Sequence, residues 1–565
     1  MKNKINKISK KISNVINSFS FTEKIVFYGF ALIFIISSIV ILANINNKFL
    51  VEIPDNGGRL TEGVIGTPRF INPVIANSNV DKDITALIYS GLTKIDKEGQ
   101  VTPDLADRYE ISEDGLTYDF YLRSDATFHD KKLITADDVI FTILKVQDPL
   151  IRSPKISDWE RVTIEKVSDR QIRFILDEPR PNFIKKTDIG ILPKHLWQQT
   201  PNDAFSLSLY NISPIGSGPY KIDKIKKDSI DIPISYILES NNAYTLGEPL
   251  IKKIIFKFAK NENELVEMIE NNEIDSISGL SPNLLENIST KDLNTYTSTL
   301  PRVFGLFINQ DESPALSINS ARKALEKASP KKQIVDDIFN GYAEIINNPI
   351  TGFDEEDFSQ DLEEAENILI EAGWEKNEEG IYTIETSDET FVLSTSISTS
   401  NIPELVSIAE LVAREWKKIG IDVSVKIFDT NDLNQNVIRP RNFEILLFGT
   451  IVETPSDLYS FWHSSRRNDP GLNITNYTNI EADTILEELT SSLSKEDQAE
   501  KINELNEEIK SDTPAIFLYS PKFTYLISNK VKGIEIEDIS SATDRFRNID
   551  NWFINTDKVW EIFNN

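Results

Sequence analysis

Cysteine is absent from all 565 residues. That removes disulfides, thiol nucleophiles, cysteine-ligated zinc, iron–sulfur centres and a diacylglyceryl-cysteine lipid anchor in one step. Histidine is nearly as scarce, with three residues, His129, His195 and His463. No HExxH, phosphate-cradling GxxxxGK[ST] or GxSxG pattern occurs, so a serine triad, a zinc protease and a nucleotide hydrolase all lack their starting residues. Positive charge is in deficit: 60 Lys plus Arg stand against 89 Asp plus Glu, for a formal charge of −29. A nucleic-acid surface needs concentrated basic side chains, and this balance argues against one. Adjacent acids such as Asp137/Asp138 and Glu355/Glu356 carry no glycosidase signal in so acidic a chain. A zinc site built from His129, His463 and a distant carboxylate lacks ligand spacing. The expectation is a chain without catalysis, metal or cofactor.

Hydrophobic residues make up 40% of the chain, and 53 residues are aromatic, which excludes a mostly disordered protein. The length suggests about three domains. With no repeat, coiled coil or long low-complexity linker, short crossovers must join them.

One long apolar run stands out. Ile25 to Ala43 reads IVFYGFALIFIISSIVILA without a charge, and as a helix it spans roughly 28 Å, the thickness of a bilayer core. Before it lie Lys2, Lys4, Lys7, Lys10, Lys11 and Lys24 against Glu23; after it come Lys48, Glu52 and Asp55. The positive-inside rule predicts a basic cytoplasmic N-terminus over residues 1–24, a transmembrane anchor over 25–45, and the bulk of the chain outside. The run exceeds a signal-peptide core, and Leu42-Ala43-Asn44 is a poor cleavage exit, which favours a retained anchor over a cleaved leader. A strongly acidic exported part favours a soluble body on a tether over one lying on anionic lipid.

Along the exported part, Gly57-Gly58-Arg59-Leu60 marks a turn feeding a strand. Ile84 to Tyr89 predicts a short helix, with Asp81 and Asp83 serving its first turn. Tyr109 to Leu122 predicts a hairpin around Glu113-Asp114-Gly115. Thr135-Ala136-Asp137-Asp138-Val139 opens a helix, since Thr135 can cap free amides and the aspartates suit the positive end of the dipole. Val162 to Asp177 predicts two short strands ended by Pro179 and Pro181. Asn261 to Asn271 predicts a helix, followed by a strand at Asp275 to Ser278. Further helices are expected at Ile318–Ala328, Gln333–Ile338, Asp361–Ala372, Ile402–Lys418, Ile480–Leu493 and Lys495–Ile509. Gly420 ends the fourth of these, and Ile421 to Ile427 alternates as a strand. Phe443–Phe448 and Ala515–Tyr519 predict buried strands. The mixture indicates α/β architecture.

Collinear motifs add a resemblance. They are Gly57-Gly58-Arg59-Leu60, Asn72-Pro73, Ile88-Tyr89-Ser90-Gly91-Leu92, Gly99, Pro103-Asp104-Leu105-Ala106 and Asp114 to Arg123. Phe128-His129-Asp130 with Thr135 to Val139, Leu192 to Trp197 and Pro214-Ile215-Gly216-Ser217-Gly218-Pro219-Tyr220 follow. Leu306 to Asn309, Ala321 to Leu325, Ala372-Gly373-Trp374 and Gly471 to Tyr477 complete the series. In this order the chain resembles the family 5 extracytoplasmic solute-binding proteins, the oligopeptide, dipeptide and nickel-binding class serving ABC importers. The resemblance implies an α/β, two-lobed periplasmic-binding-protein-like fold with an inserted smaller subdomain, here joined to an N-terminal transmembrane helix. It places domain I at residues 52–95, 215–303 and 515–565, domain II at 96–214 and domain III at 304–514. Lys131, Leu133 and Tyr109 depart from the common pattern.

The resemblance also suggests a site. Peptide-binding relatives carry Gly-Trp and then an aspartate that pairs with the peptide ammonium; here Gly449 is followed by Thr450, and Glu453 takes the acid's place. Candidate ligand residues are Glu453, Asp457, Tyr459, Trp462 and Arg466. Asp457, Tyr459 and Phe461 alternate, so one side of that segment is expected to face the cleft. Trp462 has two readings, cleft wall or domain III core, and Arg466-Arg467 is either a solvated pair or a guide for acidic ligands. Gly216, Gly218, Pro219, Tyr220 and His129 are expected to be scaffold at a domain crossing, without a ligand role. The implied function is capture of peptides or peptide-like solutes by a monomeric, membrane-tethered protein. Its partners would be permease subunits with a cytoplasmic ATPase. The alternatives are a binding protein for an oligosaccharide or chelated metal, or an anchored structural protein with a degenerate cleft.

Overall fold

A computed structural model describes residues 15–48, 50–97, 99–180, 182–286, 288–353, 359–386, 389–490, 495–537 and 539–560. Lys2, Lys4, Lys7, Lys10 and Lys11, Pro181, Glu355, Glu356 and the expected helix end at Leu493 lie outside these residues. The chain divides into two units, residues 1–57 with 553–565, and residues 58–552.

In the first unit, Phe21–Lys48 is one continuous helix. Its Phe21–Leu42 portion is long and apolar enough to cross a membrane, and none of it is buried against protein. Its apolar residues run all round the helix, the composition shared by membrane spans and signal-sequence cores. Leu50–Asp55 then pairs antiparallel with Asn555–Trp560, which ties the two ends of the chain into a ribbon.

The second unit is organised by one strand, Ala515–Ser528, in a twelve-stranded sheet among the described residues. Its first half pairs with Arg302–Ile308 and Ala343–Ile345, its second half with Ser276–Ser278 and Leu293–Thr299. Two half-sheets therefore share a strand. One continues through Ile445–Ile451, Ser394–Ser400 and Asp422–Phe428; the other runs through Arg59–Ile65, Lys253–Ala259, Pro233–Ser240 and Tyr220–Lys227. The apolar run predicts a strand over Ala515–Tyr519 alone. The structure carries it on. At Pro521 the partners change, and the carbonyl still accepts from Leu300 N at 3.0 Å while Ser520 Oγ donates to Leu300 O at 2.6 Å. The proline thus sits where one ladder hands over to the next.

The half-sheet around Arg302–Ile308 has helices on both faces. Successive strand residues point to opposite sides: Leu306, Ile308, Ile516 and Leu518 pack with the helices Asn319–Lys327, Leu362–Glu371 and Pro403–Lys418. Phe307, Phe517 and Leu446 pack instead with Ile480–Leu489 and Lys495–Asp512. Trp374 and Trp416 fill the first layer with their indole N–H groups satisfied by Ser320 Oγ and Leu325 O. Each such buried side chain contributes about 1.5–3 kcal/mol. Among the elements that carried no expectation are the strands Lys253–Ala259, Leu293–Thr299 and Ser394–Ser400, the three-stranded sheet of Glu375–Lys376, Tyr382–Glu385 and Thr390–Val392, and the hairpin of Tyr220–Lys227 with Pro233–Ser240.

Between Ile65 and Tyr220 the chain leaves the other half-sheet and builds a separate four-stranded antiparallel sheet from residues 106–111, 117–122, 171–175 and 163–168. The expected hairpin and strand pair both form there. Ala136–Gln147 packs on this sheet, its start fixed by the reciprocal Thr135 and Asp138 capping box. The return is held by the scaffold residues. Cβ atoms built on Gly216 and Gly218 would lie 2.0 Å from Ile88 O and 2.6 Å from Leu87 O, so only glycine permits this approach. His129 accepts from Gly216 N at Nδ1 (3.3 Å) and donates from Nε2 to Gly218 O (3.2 Å). Pro219 O accepts from Asn241 N, and Tyr220 OH donates to Ile251 O.

Candidate functional site

Within the second unit a cleft of about 1130 Å³ opens between three groups of segments. The residues around Pro73–Asp104 and Lys155–Gly190 line one side. Thr299–Pro301, Ile350–Phe353 and Val452–Asp457 line the opposite side, and Ile539–Asp550 closes the end.

The C-terminal stretch is held in place by a buried ion cluster. Arg545, with no exposed surface, donates to Glu62 at 2.9 Å and to Asp83 at 2.6 Å, both carboxylates also buried. Tyr525 OH and Ser276 Oγ complete the coordination of Glu62, and Thr543 Oγ1 that of Asp83. The flanking carboxylates hold the Arg545 guanidinium protonated despite its burial. Asp544, Arg547 and Asp550, its neighbours in sequence, face the cleft. Nothing in the local sequence distinguished Arg545 from other arginines.

Of the five expected ligand residues, the structure brings Glu453 and Asp457 to the cleft. Asp457 is spent on its own loop: Oδ2 accepts from Glu453 N (3.0 Å), Thr454 N (2.8 Å) and Thr454 Oγ1 (3.0 Å). That arrangement closes the turn after the strand Ile445–Ile451 without using the Glu453 carboxylate. Among the described residues Glu453 has no hydrogen-bond or ion-pair partner through its side chain. It stays open to water while protein flanks it, and this partial desolvation, with the Asp457 and Asp544 charges, raises its pKa against the opposing pull of Lys186.

The other three lie outside the cleft lining, and for Trp462 the structure takes the core reading. Residues Asp457–Trp462 are helical, so the alternation of Asp457, Tyr459 and Phe461 does not select one side. Trp462 is 3% exposed and packs against Phe307, Tyr477 and Phe517 in the core. Tyr459 stacks on His463, and Arg466 lies over the Tyr459 ring at 5.2 Å; neither borders the cavity.

Sequence reasoning missed most of the cleft's charge. Lys82, Lys94, Lys155, Lys185, Lys186 and Arg547 interleave with Asp104, Asp158, Asp188 and Asp550, a lining of mixed sign suited to ligands that carry both charges. Asp188 faces the same space, and its pKa is raised by desolvation and the nearby Asp544, against Lys155 and Lys186.

Asp104 is the most deeply buried of these acids. Thr245 Oγ1 donates to it at 2.9 Å, yet burial pushes its pKa from 3.8 to about 6. Holding it ionised therefore costs the fold about 3 kcal/mol, a penalty absent below pH 4 and complete above pH 6. His129 has the opposite slope. Burial lowers it from 6.5 to about 4, so the stability of its neutral form is lost as pH falls through that range. The variant Asp104→Asn keeps the acceptor for Thr245 and removes the first contribution. Its stability, read from urea midpoints, should rise between pH 4 and 6, where the parent changes little.

The family model "Bacterial extracellular solute-binding proteins, family 5 Middle" matches residues 100–471. The chain is 28% identical over 517 residues to the oligopeptide-binding protein AppA of Bacillus subtilis, spanning 89% of this chain and 92% of that one. The solved structure of AppA in complex with a nonapeptide matches with a TM-score of 0.65 and 26% identity, covering 89% of this chain and 100% of AppA. NikZ from Campylobacter jejuni, solved in complex with Ni(L-His), matches with a TM-score of 0.66 and 25% identity over 88% and 99% of the two chains. These neighbours share the two-lobed α/β fold of periplasmic binding proteins. The chain belongs to the bacterial extracellular solute-binding proteins, family 5.

Proposed function

We propose that this protein captures peptides outside the cell and delivers them to an ABC importer. The observation that carries the reading is Glu453, a carboxylate in the cleft wall with no protein partner among the described residues, on a loop whose backbone Asp457 holds in shape. A partly desolvated carboxylate without a protein partner favours a cation beside it, and a peptide's amino terminus supplies one. The similarity to AppA, solved with a nonapeptide, supports peptides as the ligand class. The cavity volume suits several residues, with water filling what side chains leave.

In this reading the protein is a monomer whose helix Phe21–Leu42 is retained as an anchor, the N-terminus in the cytoplasm and the cleft outside. Tethering keeps it close to permease subunits driven by a cytoplasmic ATPase, and the chain performs no chemistry itself. Domain I comprises residues 52–95, 215–303 and 515–565, domain II 96–214 and domain III 304–514. Closure turns on the two crossings between half-sheets, near Leu300–Arg302 and Ser520–Lys522, and biases the protein toward the form the permease engages.

The test is native mass spectrometry on the full chain purified in detergent without denaturation, followed by identification of released molecules. Peptides that exchange with added peptide are expected. Reproducible recovery of glycans or a metal chelate, with no peptide exchange, would overturn the reading. N-terminal sequencing of protein from native membranes should find the apolar helix intact, and a product beginning after residue 43 would show it to be a leader.

A further inference from the structure

The loop Val452–Asp457 also touches the opposite wall. Asn182 Nδ2, at the head of the turn Phe183–Lys186, donates to Ser456 Oγ at 3.0 Å. Ser456 Oγ lies a further 3.0 Å from Thr454 Oγ1, which itself donates to Asp457 Oδ2. Four residues on from Asn182, Lys186 lies in the field of both Glu453 and Asp457. The two segments come from different layers: 452–457 follows the strand Ile445–Ile451, and 182–188 follows the separate four-stranded sheet. Their contact is made by side chains near the cleft rim and involves protein groups alone.

We propose that Asn182 and Ser456 form a latch across the cleft, on the same loop that carries Glu453, so that engaging a ligand at Glu453 and shutting the cleft are coupled. The proposal rests on the reading of Glu453 as the ligand's cation partner; the latch itself does not need the ligand to form. Asp457 provides the mechanical link. Its one carboxylate oxygen gathers Glu453 N, Thr454 N and Thr454 Oγ1, so a displacement of Glu453 is passed to the Thr454–Ser456 hydroxyl pair within a single turn. One neutral hydrogen bond biases such an equilibrium only about fivefold. That is enough to favour closure and too little to trap a ligand, as a carrier that must release its cargo requires.

The absence of cysteine makes the test direct. Cysteines introduced at exposed Glu178 and Glu481, on opposite sides of the cleft, take spin labels uniquely in the full chain in detergent. Interlabel distances are then measured without ligand and with a mixture of peptides of two to nine residues. Asn182→Ala should lower the ratio of short to long distances about fivefold without peptide. Ser456→Ala should do the same, the two together no more than either alone, and Ser456→Thr should restore the parent ratio. Unchanged distances in Asn182→Ala, or fully additive losses, would overturn the latch even if peptide still bound. Distances that shift as expected in a protein that binds no peptide would uphold the latch and remove the reading of Glu453.

Discussion

Replacing Glu453 with glutamine is expected to weaken capture of a peptide with a free amino terminus roughly 30- to 100-fold, about 2–3 kcal/mol, with no change in the urea midpoint of unfolding. The asymmetry follows from how the loop is built. Asp457, not Glu453, holds the turn together, and the Glu453 side chain makes no hydrogen bond or ion pair among the described residues. The fold loses nothing when its charge is removed. Among the described residues, the ligand loses the carboxylate that waits without a partner on that wall, while Lys186 stays paired with Asp158. An N-acetylated peptide provides the control, since it should bind parent and variant equally. Isothermal titration measures both. Equal loss for free and acetylated peptides would assign Glu453 a structural role and remove the proposed recognition.

Arg545→Met should have the largest effect on stability, about 3–5 kcal/mol, enough to unfold much of the protein at moderate urea. Methionine fits the space but leaves Glu62 and Asp83 buried with no cation. The hydrogen bonds from Tyr525, Ser276 and Thr543 cannot neutralise two charges. The triple variant Glu62→Gln, Asp83→Asn, Arg545→Met should recover most of the loss, because no charge then stays behind. A triple variant as unstable as the single one would mean that shape, not charge, decides the site. Because residues 539–550 form the end of the cleft, Arg545→Met should also open that segment to limited proteolysis before the rest of the chain.

Sequence patterns revealed the local elements where each carried its own boundary. The helix Pro403–Lys418 ended at Gly420 and was followed by the alternating strand Asp422–Phe428, as its glycine and change of period implied. The capping box at Thr135 and Asp138 was equally legible. The pattern failed where tertiary contacts overruled a local rule. The apolar run implied a strand ending at Tyr519, yet Ala515–Ser528 continues through Pro521, where its partners change. The alternation of Asp457, Tyr459 and Phe461 suggested an extended segment, and a helix formed because Leu458 and Trp462, four apart, bury together in the core.

What the sequence determined unaided was chemical and local. With no cysteine, three histidines and no nucleotide or triad motif, the chain lacks the starting residues of several catalytic classes, and one uncharged run is long enough for a bilayer. Those conclusions need only residue types and spacings along the chain. The shared strand, the buried Arg545 with two acids more than 460 residues away, and the isolation of Glu453 beside a fully engaged Asp457 were decided by the tertiary structure. The physical reason is that a charge acquires its meaning from the groups packed around it. In a chain with 89 acidic residues, only burial and distance tell which carboxylate holds the fold and which is left for a ligand.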